Sequence, residues 1–242
     1  MDRRIFEAMA AVEERHWWFR ARRRILAERI ASFHLPRDAK ILEAGAGSGG
    51  NLRMLSQFGS VSAFERDDDA RARALARSIG RAEGGALPDE IPFGAEKFDL
   101  IVMFDVLEHL EQSTESLSAL AKRLLPGGRI LLTVPARPAL WSRHDLLHHH
   151  FRRYTRSKLR KTIVEAGLRV QEMSYFNTVL FPLVAAGRTW ERVIRSGKSI
   201  GLDVPPEPLN RLLEAAFASE RLMLRHVSLP IGVSLLAVAT VE

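Results

Sequence analysis

Lys40-Ile41-Leu42-Glu43-Ala44-Gly45-Ala46-Gly47-Ser48-Gly49-Gly50-Asn51 is the stretch from which the rest of this 242-residue chain can be read. A short apolar run passes straight into a glycine-rich turn, and Asn51 to Phe58 can then restart as a helix. Strand, turn and helix in that order place backbone N–H groups at the carboxyl end of a strand, where open α/β sheets bind ligands. Outward from there, Val61 to Glu65 reads as a second strand. Asp67 to Ile79 reads as a helix that opens on three aspartates, where a helix N-terminus favours negative charge. Phe98 to Phe104 is a buried strand by its apolar run. Leu117, Leu120, Ala121, Leu124 and Leu125 follow the helical period until Pro126-Gly127-Gly128, and Arg129 to Val134 is the next strand. A helix from Thr155 to Ala166, a strand near Leu168 to Phe176 and a last strand within Val227 to Val241 complete the series. The alternation predicts a parallel sheet covered on both faces. Ahead of it, Ala11 to Phe33 is predicted as one helix stopped by Pro36, with Arg22, Arg23, Arg24 and Arg29 on its wetter side. Between the last two strands the sequence predicts two helices, Leu180 to Arg195 and Leu209 to Arg225, split by Gly197 to Pro208.

Composition narrows the chemistry. The absence of cysteine excludes disulfides, thiolate metal sites, iron–sulfur clusters and cysteine nucleophiles. Charges stand in the first twenty residues where an export signal needs an apolar stretch, which points to the cytoplasm. The longest charge-free runs, Met173 to Gly187 and Val227 to Val241, fall short of the about 20 residues that a membrane span needs. Peripheral membrane contact stays compatible with the sequence. The net charge of +7 is concentrated in one stretch: Arg137, Arg143, Arg152, Arg153, Arg156, Lys158, Arg160 and Lys161 face a single anion, Asp145. Such a field attracts phosphates on nucleic acid, lipid headgroups or a small anionic substrate, and it is equally the pattern of a solvated face.

The ligand is narrowed by glycine spacing. A dinucleotide fingerprint is GxGxxG, whereas Gly45 to Gly50 reads GxGxGG with an acid, Glu43, two residues ahead. A pyrophosphate has no use for that acid, but a ligand with a free amino group does. Glu65, at the end of the second strand, is placed to accept both hydroxyls of a ribose.

These residues resemble the class I S-adenosylmethionine-dependent methyltransferases. Glu43 to Gly49 matches the family's ExGxGxG motif, Glu65 its ribose acid and Gly84 to Phe93 its adenine-side loop. Phe98 to Leu110 resembles the fourth motif, and Leu124 to Leu132 the strand behind it. The resemblance implies an α/β fold: a Rossmann-like seven-stranded sheet with helices on both faces and an antiparallel last strand. The N-terminal helix and a helical insert before the last strand are added to it. It divides a single 1–242 domain into an N-terminal lid (1–36), a cofactor core (37–176), an insert (177–226) serving as cap, dimer contact or interfacial helix, and the final strand (227–242).

The cofactor implied is S-adenosylmethionine. Its shell would be Trp18, Arg20, Glu43, Gly45, Ala46, Gly47, Glu65, Arg66, Ala86, Leu87, Phe104, Asp105 and Val106. His16 to Arg20 and Arg152 to Thr155 further resemble a bacterial branch related to the ubiquinone-biosynthesis O-methyltransferases. That likeness would bring Trp18 or Phe19 near adenosine and Arg20 near the methionine carboxylate. Gly84-Gly85-Ala86 replaces the acid by which many relatives hold adenine, leaving backbone contacts at Ala86 and Leu87.

The acceptor is expected to be a small molecule, methylated on oxygen or nitrogen. A hydroxyl acceptor loses a proton, so a base is useful, and His109, His150 and Tyr154 are the catalytic candidates. His144 and His148 at i, i+4 would share a helical face, with Asp145 orienting one of them. Magnesium prefers oxygen ligands, so no metal is expected on this nitrogen-rich cluster. Nucleic acid is the less favoured partner because few stacking aromatics stand among the cations. A non-catalytic cofactor-binding module and a homodimer are also compatible with the sequence.

Overall fold

The computed structural model describes residues 2–194 and 203–241. Seven strands form one sheet: β1 (Lys40–Ala44), β2 (Ser60–Glu65), β3 (Arg81–Gly84), β4 (Phe98–Phe104), β5 (Leu124–Pro135), β6 (Arg169–Phe176) and β7 (Ser234–Thr240). Their order is β3-β2-β1-β4-β5-β7-β6. The first five in chain order pair in parallel, and β7 lies antiparallel between β5 and β6. The reversal of strand order at β1 and β4 opens a crevice beyond their carboxyl ends, and the glycine turn leaves β1 at that point.

Strand alternation builds two cores. Ile41, Leu100, Val102 and Phe104 face one layer; Leu42, Ile101 and Met103 face the other. The helices are α1 (Arg3–Val12), α2 (Trp17–Ala31), α3 (Leu52–Leu55), α4 (Asp68–Ala76), α5 (Ser113–Ala121), α6 (Arg143–Leu147), α7 (Arg156–Glu165), α8 (Phe181–Ile194), α9 (Glu207–Ala218) and α10 (Glu220–Leu224). The first core is shared with α2, through Ala21, Ile25, Leu26 and Ile30, and with Phe217 of α9; the second takes Leu117 and Leu120 of α5 and Leu159 and Ile163 of α7. Each such fully buried aliphatic side chain contributes about 1.5–3 kcal/mol of burial free energy.

Several elements differ from the sequence reading: the helix read from Leu209 to Arg225 is divided into α9 and α10, and that read from Asn51 to Phe58 shortens to α3. The N-terminal helix is broken in two, because His16 takes an extended conformation and its ring accepts from the N–H of Trp18, capping α2. α5 ends at Ala121, and Leu124 already pairs with Phe98 at the start of β5, across an irregularity that absorbs Pro126-Gly127-Gly128. β3 has no apolar run and forms an exposed edge. The side chains of Arg188, Arg192 and Arg195 in the first predicted helix of the insert, and the break beginning at Gly197, lie outside the described side chains and residues. Among the described residues, no helix is long and apolar enough to cross a membrane.

Candidate active site

The turn after β1 is closed by backbone and by one acid. Gly45 and Ala46 donate to the carbonyl of Phe64 at 3.0 and 3.1 Å. The Gly47 N–H donates to Glu65 Oε2 at 2.8 Å, and the Asp67 N–H donates to Glu65 Oε1 at 3.0 Å. Glu65 thus shapes the glycine turn while one face of its carboxylate looks into the crevice. Gly45 has φ +75° and a Cβ there would stand 2.8 Å from Val106, so the close approach of the turn to the β4 loop requires glycine.

Glu43 sits behind the turn, 1% exposed. Its Oε1 accepts from Asn51 Nδ2 at 2.8 Å, while Oε2 has no hydrogen-bond partner. Burial pushes this carboxyl up to about 7, against smaller downward pulls from Asn51 and the Arg22 charge. Asn51, not Glu43 itself, reaches the crevice wall.

The crevice has a volume of about 1610 Å³. A single small-molecule site typically occupies about 300–1,000 Å³, so there is room for two molecules side by side. Trp18, Gly45, Ala46, Gly47, Glu65, Arg66, Ala86, Leu87, Phe104, Asp105, Val106, His109 and His150 all line it. Both backbone groups of Ala86 are already engaged with Glu90, at 2.9 and 2.8 Å, which removes Ala86 as a backbone donor to a ligand.

Two further candidates do not reach the crevice. Arg20 turns outward to Glu214 of α9 (3.0 Å), which also pairs with Arg24 (2.8 Å). Its place is taken by Arg22, expected on the wet face yet only 5% exposed. Arg22 lies over the rings of Trp18 and Phe104, pairs with Asp105 Oδ2 at 2.5 Å and donates to Thr133 Oγ1 at 2.9 Å. Tyr154 is fully buried in the second core, its hydroxyl donating to Ser113 Oγ at 3.2 Å. The phenol is an anchor of that core and does not face a substrate.

The N-terminal segment roofs the crevice. Glu13, half-hidden from sequence reasoning in a run of ordinary helix formers, accepts from Ser48 Oγ at 2.8 Å and pairs with Arg77. Arg77 also pairs with Glu14 at 2.6 Å and donates to the Ser48 carbonyl at 2.7 Å. The Trp17 N–H donates to Asn210 of α9 at 2.9 Å, so the insert is packed on the roof helix.

At the other end lies an imidazole cluster. His109 follows β4 in a short 3-10 turn (Leu107–His109), and its ring stands edge-on to that of His150, centroids 4.7 Å apart. Burial, with the His150 ring beside it, lowers His109 to about 3, so it is neutral at pH 7. His148, packed 4.0 Å from His144, is lowered to about 2 by burial. Asp145 holds His150 Nδ1 at 3.0 Å and is itself held by Arg153 at 2.9 Å and by the Ser142 N–H at 2.9 Å. A carboxylate only accepts, so Nδ1 of His150 carries a proton, and Nε2 faces Glu108 Oε1, 4.0 Å away. Of the eight cations in the basic stretch, Arg153 alone lines the crevice, and it is consumed by Asp145 and by the carbonyls of Ala136 and Val233.

A strand-turn-helix cradle at a switch point, an acid at the end of β2 and one large crevice beyond the strand ends are the features of a nucleoside-binding α/β domain. A family model described as a methyltransferase domain matches residues 16–173, and the chain belongs to that family, whose cofactor is S-adenosylmethionine. A Mycolicibacterium smegmatis protein named as a probable S-adenosylmethionine-dependent methyltransferase is 28% identical over 164 residues, 66% of this chain and 62% of its own length. The chloroplastic tocopherol O-methyltransferase of Arabidopsis thaliana is 32% identical over 103 residues, 38% of this chain and 29% of its own. The alignments thus span less than two thirds of these relatives. In fold, the chain is similar to a structure from a Haloferax volcanii complex of a methyltransferase with the Trm112 methyltransferase activator. That match has a TM-score of 0.64 at 18% identity and covers 100% of this chain and 98% of the other.

Proposed function

We propose that the protein is an enzyme that transfers a methyl group from S-adenosylmethionine to an oxygen or nitrogen of a small molecule, lipid-linked and anionic acceptors included. One observation carries the reading: a single crevice joins the glycine turn and Glu65 at one end to the His109–His150 pair at the other, with volume for two molecules. The residues fit the cofactor. Gly45 and Gly47 allow close backbone approach, Glu65 offers a carboxylate to ribose hydroxyls, and the unpaired buried Oε2 of Glu43 gives the turn a negative field for an ammonium. Arg22 is the buried cation of α2 that lines the crevice, and the Leu87 backbone serves adenine where Ala86 is occupied.

When bound, the cofactor supplies an activated methyl group, so the protein has chiefly to align the acceptor and exclude water. The α1–α2 roof does the excluding. A hydroxyl acceptor must also lose a proton, and the imidazoles stand where that proton leaves. The likeness of His16 to Arg20 and Arg152 to Thr155 to the ubiquinone branch supports an oxygen acceptor and rests on those motifs alone. Val179 and Leu183, exposed at the start of α8, are the side chains through which a membrane surface or a second copy would meet the crevice mouth.

The test is calorimetric titration with S-adenosylhomocysteine, with NAD as control, followed by turnover on a panel of phenols, amines and lipids. Micromolar binding of the former alone, weakened by about 1–3 kcal/mol in Glu65→Ala, is the expected result. Binding of NAD, or of neither, overturns the reading, and binding without turnover on any acceptor leaves a non-catalytic module. RNA is the second reading, favoured by the exposed Lys158, Arg160 and Lys161 on α7, although none of them lines the crevice. Salt-dependent RNA affinity accompanied by RNA methylation would put it first.

A further inference from the structure

We propose that Glu108, His109 and His150 form a binding site for a divalent transition ion of the zinc class at the acceptor end of the crevice. The three residues come from two distant segments, the turn after β4 and the loop after α6. Each offers one donor atom, and the three atoms lie within 4.8 Å of one another. Metal–ligand bonds of about 2.0–2.2 Å set donors on one ion some 3–3.5 Å apart, so side-chain rotations of about an ångström close the set.

Glu108 supplies an independent observation. It is 0% exposed, and among the described residues it is the one buried acid whose two side-chain oxygens both lack a hydrogen-bond partner. Leaving a buried carboxyl unpaired is costly, and such groups in native structures point to a missing ion or partner. Its Oε1 is aimed at Nε2 of His150, at 4.0 Å.

The surroundings match those of a metal ligand. Metal-binding histidines donate their second ring N–H to a carboxylate, which fixes the tautomer and directs the free lone pair at the ion. Asp145 does this for His150 at 3.0 Å, and Arg153 (2.9 Å) holds Asp145 in place. Two imidazoles and one carboxylate are the donor set of catalytic zinc and ferrous sites, which keep a coordination position open; magnesium would demand oxygen donors instead. All three residues line the crevice, so an ion held by them would be within reach of a hydroxyl oxygen of the acceptor. That last step rests on the methyl-transfer reading; the ion site does not. The trio differs from the His144, Asp145 and His148 grouping suggested by sequence spacing.

The experiment is zinc chloride titration of the chelator-treated full chain by calorimetry, repeated with cobalt chloride by visible absorption and with magnesium chloride as comparator. One zinc per chain is expected. Glu108→Gln keeps the side chain's volume, removes the unpaired buried acid and so leaves the fold intact, and it is expected to weaken zinc at least 100-fold. His150→Ala is expected to do the same, while His144→Ala leaves zinc affinity unchanged. Zinc binding that survives Glu108→Gln, that is lost in His144→Ala, or that is matched by magnesium overturns the proposal, as does no binding at all. S-adenosylhomocysteine titrated into the same samples separates the two readings. Cofactor binding without zinc binding removes the metal site alone, and zinc binding without cofactor binding removes the methyl-transfer reading alone.

Discussion

Replacing Glu43 by glutamine should make the ligand-free protein more stable and a poorer binder at once. Burial raises this carboxyl from its ordinary 4.5 to about 7 in the folded chain. Glutamine imitates the neutral acid and keeps the oxygen that accepts from Asn51. The folded acid binds its proton more tightly than the unfolded one. Wild-type stability is therefore lost as pH rises from 4.5 to about 7 and is level above that. At 1.36 kcal/mol per pH unit, the shift amounts to about 3 kcal/mol at pH 8, shrinking to under about 1 kcal/mol at pH 5. For a chain of this length that corresponds to a gain of about 6–12 °C in Tm at pH 8. Loss of the negative charge behind the turn should in turn weaken S-adenosylhomocysteine at least tenfold, the scale of a charge-assisted hydrogen bond of about 1.5–3 kcal/mol. Melts by circular dichroism from pH 5 to pH 8, paired with calorimetric titration at pH 8, check both halves. A variant with unchanged Tm at pH 8 and unchanged ligand affinity would refute the reasoning, because Glu43 would then be neither strained nor used.

Three other expectations follow from the same geometry. Arg22→Ala removes the buried guanidinium that pairs with the half-buried Asp105 and should cost about 1.5–3 kcal/mol, the scale of a hydrogen bond to a charged group, with faster proteolysis within α1 and α2; a wild-type melt and cleavage pattern would show that the roof does not hang on this pair. Tyr154→Phe should cost about 1 kcal/mol of stability through the lost Ser113 bond and leave turnover intact, whereas a collapse of kcat with an unchanged melt would return the phenol to the chemistry. Gly45→Ala should combine about 1–2 kcal/mol of left-handed backbone strain with the Val106 clash and depress cofactor affinity; adding Val106→Ala should restore part of the loss, and no restoration would locate the defect elsewhere.

The sheet's centre was legible because β1, β4 and β5 are continuous apolar runs and the turn after β1 is written in glycine. β3 was not, since Arg81-Ala82-Glu83-Gly84 has no apolar run and shows no periodicity. The break between α1 and α2 was hidden because Glu13, Glu14 and Arg15 are ordinary helix residues. A single imidazole cap and contacts to Ser48, Arg77 and Asn210, remote in sequence, decide it. Arg20 and Arg22 are alike in composition, and only the packing of α2 between the sheet and α9 determines which of them enters the crevice. Tyr154 was misplaced for the opposite reason: motif likeness located its neighbourhood correctly but said nothing of the direction of its ring. Glu108 stood in plain view beside His109, and its signal, two unpaired buried oxygens, exists only once the fold has closed over it.

The position of β7 has a consequence for synthesis. Among the described strands β6 touches the sheet only through β7, which is made after it, so β6 leaves the ribosome with no strand to join and the flank of β5 stays open until Ser234–Thr240 has emerged. Unpaired strand flanks are sites of misassociation, and chains of this length commonly pass through such half-built species. Trimming the last ten residues would therefore not shave a margin from the molecule. It would take out the keystone and leave two strands facing a gap, so nascent chains stalled short of Ser234 should be sticky, chaperone-bound and unable to refold, whatever the state of the glycine turn two hundred residues upstream.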